Sequence, residues 1–284
     1  MMNEKKVLVA APVSSRHDYV IREYVNALAK QDYPFDLMLV DNTTEGDYMG
    51  TLKKVTKPLS DLGKKVFIEH ITWDTVKDHV LQMLAKAREV YRVFAVKNGY
   101  DYIFHLDIDM ILHKGAIREL VDCDRDSVGF VVHVFYPPDT RPCVFKHGEL
   151  RRVEEVWSLG YYSWRTIYRW KSQGKKLVKV YATGLGCLLS KRKVFENVPF
   201  RAHPSFVWGE DLFFINEATE KGFEFYVNTK RVKHKNINWN EPTSKSKKQM
   251  KFFLAIGLEE AWKKMVEEGE LKICKPRVQE NLMK

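Results

Sequence analysis

The sequence has little that would bind metal through sulfur or cross a bilayer. Its four cysteines, Cys123, Cys143, Cys187 and Cys274, are scattered and form no C-x-x-C pair. That argues against a zinc or redox motif and for reduced, buried thiols. No apolar run reaches the roughly 18 residues that span a membrane. No low-complexity tract interrupts a chain of 284 residues that is 45% hydrophobic and 30% charged. Acidic residues are the scarcer sign: 37 Asp and Glu stand against 47 Lys and Arg, a formal net charge of +10. Such an excess implies an anionic partner, whether nucleic acid, lipid headgroup or phosphorylated small molecule, and does not choose among them. The opening "MMNEKKVLVAAPV" places two lysines before an apolar stretch, as a leader would. The stretch is only seven residues long and lacks a convincing cleavage site, so it reads as a core strand and the chain as cytoplasmic.

What is present is a regular alternation. "VLVAA" (Val7–Ala11) is a continuous aliphatic run, the pattern of a strand covered on both faces. "HDYVIREYVNALAK" follows with Val20, Tyr24, Ala27 and Leu28 at helical spacing. "FDLMLVD" and "VFIEHI" read as the next strands, separated by a weak helix from Tyr48 to Leu62 that Pro58 is expected to interrupt. Val80, Leu84, Ala87, Tyr91 and Phe94 then mark an amphipathic helix closed by Asn98-Gly99. Strands and helices in this order predict right-handed crossovers and a mostly parallel sheet. Later, "SVGFVVHVFY" and "LVKVYATG" read as strands and Gly209–Gly222 as a helix ended by glycine. Near residue 240 the composition turns basic. The chain therefore divides into an α/β domain over 1–240 and a basic amphipathic helical extension over 241–284, with Phe252, Phe253, Ile256 and Trp262 among lysines.

In parallel sheets, ligands bind at the carboxyl ends of strands. Asp41, Asp107, Asp109 and the loop Ala11–Arg16 all fall at predicted strand ends. "YDYIFHLDIDMIL" delivers Asp107 and Asp109 to the end of an apolar strand, where a buried carboxylate is costly without a partner. A turn there would let both approach one hard divalent cation through oxygen, which removes the desolvation problem. This reading requires that the pair not be locked to arginine.

"HLDIDM" after a helix, "VLVAAPV" and "LMLVDNT" before it, and "WGEDLFF" after it together resemble a family 2-like GT-A-fold glycosyltransferase with DXD and ED motifs, over about residues 5 to 236. The resemblance implies a Rossmann-like, mostly parallel sheet flanked by helices. It also implies transfer of a sugar from a UDP- or GDP-linked donor to an acceptor hydroxyl on a sugar, a lipid-linked glycan or another molecule. Asp107, Asp109 and His234 would hold Mn²⁺ or Mg²⁺ against the donor diphosphate. Asp107 would also approach the ribose, and Ala11, Pro12, Val13 and Asp41 the nucleoside. Arg16, Arg88 and Lys97 are candidates for phosphate neutralisation. Asp211 would be the base of an inverting reaction and Glu210 its partner or an acceptor contact. Trp208 and Gly184 would lie on the acceptor side, where Trp157 and Trp164 are weaker stacking candidates.

Two other classes compete. A sugar-phosphate nucleotidyltransferase would carry a glycine-rich signature after the first strand, and "APVSSRHD" has no glycine. A non-catalytic nucleic-acid or membrane-surface protein would suit the charge. No nucleic-acid-binding signature accompanies it, so no nucleic acid is expected. The C-terminal helix remains open to two roles: lying peripherally on the inner, anionic membrane face, or closing the acceptor cleft.

Overall fold

The apolar run Val7–Val13 forms β1, buried at every position, and alternate residues serve two different cores. Val7, Val9, Ala11 and Val13 pack on one side, Leu8 and Ala10 on the other. The computed structural model describes residues 4–44, 46–73, 80–136, 139–146, 151–153, 156–158, 160–202 and 210–235. Trp208 and the extension 241–284 lie outside these residues, and so does the side chain of Trp157. Among the described residues, no helix is long and apolar enough to cross a membrane.

The strands of the central sheet are β1, β2 (Asp36–Asp41), β3 (Val66–His70), β4 (Tyr102–Leu106), β5 (Ser127–Val131), β6 (Leu177–Val180), β7 (Cys187–Lys191) and β8 (Phe225–Arg231). Their spatial order is β6-β8-β5-β7-β4-β1-β2-β3. β3, β2, β1 and β4 run parallel, β8 and β5 run parallel to each other, and β7 and β6 are reversed. The expected α/β class with a mostly parallel sheet is therefore what the chain forms.

Helices α1 (Ile21–Ala29), α2 (Tyr48–Asp61) and α4 (Ala116–Val121) cover one face, through Tyr24, Leu28, Leu52, Leu59 and Ile117. Helices α3 (Val80–Lys97), α6 (Arg192–Phe195) and α7 (Glu210–Glu220) cover the other, through Tyr91, Ala95, Phe195, Phe214 and Ala218. Burying each of the leucine, isoleucine and phenylalanine side chains among these contributes about 1.5–3 kcal/mol. A further helix of nine residues, α5 (Trp164–Ser172), is capped by Ser163, whose hydroxyl accepts from the Thr166 amide at 3.2 Å.

Four local expectations change. Ala11–Val13 belong to β1, so the loop begins only at Ser14; Pro12 is tolerated because pairing with β4 has ended at Ala10. α2 runs straight through Pro58. The carbonyl that Pro58 leaves without a donor belongs to exposed Lys54, where water can reach it, while Leu52, Val55 and Leu59 hold the helix to the core. The strand read from "SVGFVVHVFY" breaks at Val132 into β5 and a hairpin strand, His133–Tyr136. On α3 the buried stripe is Met83, Ala87, Tyr91 and Ala95, with Arg88 beside it, and Val80 is 44% exposed. A periodicity that counts only apolar residues misses a helix that turns an arginine inward.

Candidate active site

β1, β2, β3 and β4 end at one edge, and the chain immediately beyond them carries the polar groups. After β4 the backbone turns, with the Met110 amide donating to the Asp107 carbonyl at 2.9 Å. Asp107 and Asp109 therefore sit on a turn. A short antiparallel pairing of Met110–Ile111 with Lys233–His234 then brings a distant histidine alongside. His234 Nε2 lies 3.0 Å from Asp109 Oδ2. Its Nδ1 lies 2.7 Å from the His133 carbonyl, which can only accept, so Nδ1 carries the proton. Burial acts to lower the His234 pKa, but the hydrogen bond and charge of Asp109, the His133 carbonyl and the charge of Asp107 together raise it. Neighbouring His133 is driven down to about 4, by burial first and then by Arg231 and His234.

Asp107 meets a different partner. Arg88 reaches from α3 and donates through one terminal nitrogen to Asp107 Oδ1 at 3.0 Å. Its Nε donates to Glu210 Oε1 at 2.9 Å, and its other terminal nitrogen donates to the Tyr91 hydroxyl at 3.1 Å. Arg88 and Glu210 are buried, whereas the Asp107 side chain is 34% exposed. Burial alone would lower the arginine pKa; the charges of Asp107 and Glu210 and the hydrogen bond to the Tyr91 hydroxyl raise it instead. Of the pair required not to be locked to arginine, Asp107 is bound by Arg88 and Asp109 is not. Of the expected metal ligands Asp107, Asp109 and His234, the structure brings Asp109 and His234 into contact and turns Asp107 to Arg88.

Gly186 makes the Asp107 position sterically possible. Its carbonyl accepts from the Asp107 amide at 2.9 Å. A Cβ at residue 186 would stand 2.9 Å from Asp107 Oδ2. Gly184, expected on the acceptor side, packs against Cys143 Sγ, 2.8 Å from where its Cβ would be.

At the ends of β2 and β3, Asp41 is buried and committed. Oδ1 accepts from the Thr43 amide at 3.0 Å and the Thr43 hydroxyl at 2.6 Å, and Oδ2 from His70 Nδ1 at 2.9 Å. With the Asp41 side chain 1% exposed and that of His70 39% exposed, the histidine is the member of the group that meets solvent. The Ser15 amide donates to Thr43 Oγ1, which ties the loop after β1 to the loop after β2. Arg16 stands exposed in that first loop.

The other sequence-derived candidates divide. Asp211, half-buried, opens α7 beside Glu210. Glu210 itself is turned inward to Arg88, so as an acceptor contact it has no exposed face to offer. Lys97 is exposed at the end of α3, beside Asn98, whose carbonyl is bound by Lys6 from the start of β1. That is the opposite edge of the sheet, and Lys97 is not brought to the aspartates. Arg88 is not a surface cation either. Trp164 lies under Arg231, with the guanidinium 4.9 Å from its ring, and stacks on Tyr168.

Sequence reasoning missed the roles of Tyr91, His105, His70 and Gly186. The pattern "TGLGC" was a usable signal for Gly186; nothing local marks the others. Among the described residues, no group of three or more His, Cys, Asp or Glu is arranged to hold a metal. What does meet here is one carboxylate and one imidazole, Asp109 and His234, while Asp107 is bound by Arg88.

No protein-family model matches the chain, and no curated protein matches it. Among solved structures it is similar to S. aureus TarS 1–349 in complex with UDP, with a TM-score of 0.49 and 16% identity, covering 80% of this chain and 59% of that one. The same TarS fragment, in a structure described without UDP, gives a TM-score of 0.48 at 16% identity and the same coverage. S. aureus TarS itself gives 0.46 at 17% identity, covering 80% of this chain and 36% of that one. The chain thus spans 59% or less of the length of these structures.

Proposed function

We propose that this protein is a metal-dependent glycosyltransferase that takes a sugar from a UDP- or GDP-linked donor. The observation that carries the proposal is the meeting of Asp109 and His234 at 3.0 Å beyond the carboxyl end of β4, with the second imidazole nitrogen held by a backbone carbonyl. That is how metal-binding histidines are oriented. Nδ1 carries the proton, so Nε2 faces the carboxylate either protonated or with its lone pair on a cation.

Mn²⁺ or Mg²⁺ bound there would neutralise charge on the departing diphosphate, often the largest catalytic contribution. An imidazole ligand favours Mn²⁺. The remaining work belongs to the chain. The linked loops after β1 and β2 hold the nucleoside, with exposed His70 rather than buried Asp41 presented to it. Three inter-strand spacings separate β3 from β4, about 14 Å at the usual distance between strands. A nucleoside diphosphate laid along the edge would bridge that gap.

Asp211 takes the proton from the acceptor hydroxyl as it attacks the anomeric carbon, in an inverting displacement. Asp107, held by Arg88, lies on the diphosphate side. The test is hydrolysis or transfer from UDP- and GDP-sugars with and without Mn²⁺. The expected result is turnover only with metal, lost in Asp211→Asn while nucleotide binding survives. Equal turnover in EDTA would reject the proposal.

A further inference from the structure

Arg88 is a full charge set in the interior, and each nitrogen of its guanidinium donates a hydrogen bond. We propose that Arg88 is a positioning residue, a buried fork that fixes the Asp107 carboxylate relative to the first turn of α7, so that the turn after β4 and the start of α7 are held as one unit. Its value for catalysis rests on the transferase reading above; the physical link does not.

Three elements contribute two residues each, at the spacing their geometry requires. On β4 and its continuation, His105 and Asp107 are two residues apart and share a face. On α3, Arg88 and Tyr91 are one turn apart, as are Glu210 and Phe214 on α7. Arg88 donates to Asp107, Glu210 and Tyr91 at 3.0, 2.9 and 3.1 Å. The Tyr91 hydroxyl, already accepting from Arg88, lies 3.0 Å from Nδ1 of fully buried His105. The His105 ring meets Phe214 edge to face at 5.8 Å and Phe200 at 5.4 Å. α7 is therefore docked twice on the same network, through the Glu210 charge and the Phe214 ring.

A planar fork spreads its donors over three nitrogens and reaches all three oxygens, whereas a lysine's three donors radiate from a single nitrogen. Two carboxylates share one cation, so either alone still pairs Arg88, and only the loss of both leaves the guanidinium uncompensated. Asp211 follows Glu210 directly, and the fork thereby sets the first turn of α7 against the Asp107 turn.

The experiment is denaturant unfolding of the full chain, with Asp107→Asn and Glu210→Gln made singly and together. With Arg88 present, the double substitution strands the guanidinium. Its effect on the unfolding constant should then exceed the combined single effects by roughly five-fold or more. In an Arg88→Met background the excess should vanish, and additive behaviour in both backgrounds would overturn the proposal. If Arg88→Met does not fold, Arg88→Lys carries the same comparison, with the excess expected to shrink because the fork is lost.

A second readout separates positioning from mere stability. Arg88→Met/Glu210→Gln removes both buried charges. It should melt close to wild type yet bind UDP in Mn²⁺ about tenfold more weakly or worse. Recovery of binding together with stability would make Arg88 a structural residue and overturn the proposal. If the wild type binds no nucleotide at all, the transferase reading fails, while the unfolding comparison still decides the link.

Discussion

Gly186→Ala tests how tightly the Asp107 carboxylate is placed. The added methyl would stand 2.9 Å from Asp107 Oδ2 and 3.2 Å from Met110 Cε. The methionine methyl ends a flexible side chain and can yield by a few tenths of an ångström. The carboxylate cannot yield so easily, because Arg88 holds its other oxygen and its amide is bonded to the residue 186 carbonyl itself. Ordinary contact begins near 3.4 Å, so Oδ2 must retreat by about 0.5 Å. Overpacking of this kind costs about 1–3 kcal/mol, or about 2–5 °C in Tm for a chain of this size. Displacement of a site carboxylate on this scale should weaken Mn²⁺-dependent nucleotide binding about tenfold or more. The assay is thermal unfolding with and without UDP and Mn²⁺. The contrast between the two effects matters, since the binding loss should exceed what the lost stability explains. A Gly186→Ala protein with wild-type melting and nucleotide affinity within about twofold would refute the steric argument.

Asp41→Asn removes the charge that takes three hydrogen bonds from Thr43 and His70 and should destabilise the fold by about 2–3 kcal/mol, read by denaturant unfolding. The Asp109–His234 pair raises the histidine pKa above 6.5 on folding. Its stabilisation is therefore complete below that value and fades as pH rises through the raised folded-state pKa. In EDTA, the stability gap between wild type and His234→Gln should accordingly be wide at about pH 5.5 and narrow by about pH 9; a gap that widens with pH would contradict the pairing. Cys187 is fully buried, and burial, with the charge of Asp107, pushes its thiol up to about 12. Iodoacetamide at about pH 8 should leave it unmodified until the chain unfolds, as peptide mass mapping would show.

The class of fold was legible because it rests on local patterns. The all-apolar run of β1 and the apolar run of β4 demand a sheet covered on both faces, and both strands formed as read. The reversal of β7 between β4 and β5 was not legible, since nothing in "CLLSK" distinguishes a parallel from an antiparallel neighbour. At the site, Asp107, Asp109 and His234 could be chosen by residue type and position. Their pairing could not: Asp109 meets His234 through a two-residue strand pairing across more than a hundred residues of chain. Arg88 and Glu210 show the opposite limit. Each reads as a solvated charge on its own helix, and only the packing of α3 against α7 and the end of β4 turns both inward.

The central claim is that Asp109 and His234 share a divalent cation that grips a nucleoside diphosphate. Anomalous diffraction from crystals grown with Mn²⁺ and UDP tests it directly. One peak is expected, at bonding distance from both Asp109 and His234 Nε2, with diphosphate oxygens completing the shell. UDP bound while Asp109 and His234 remain in direct contact, or a manganese peak elsewhere on the molecule, would contradict the account.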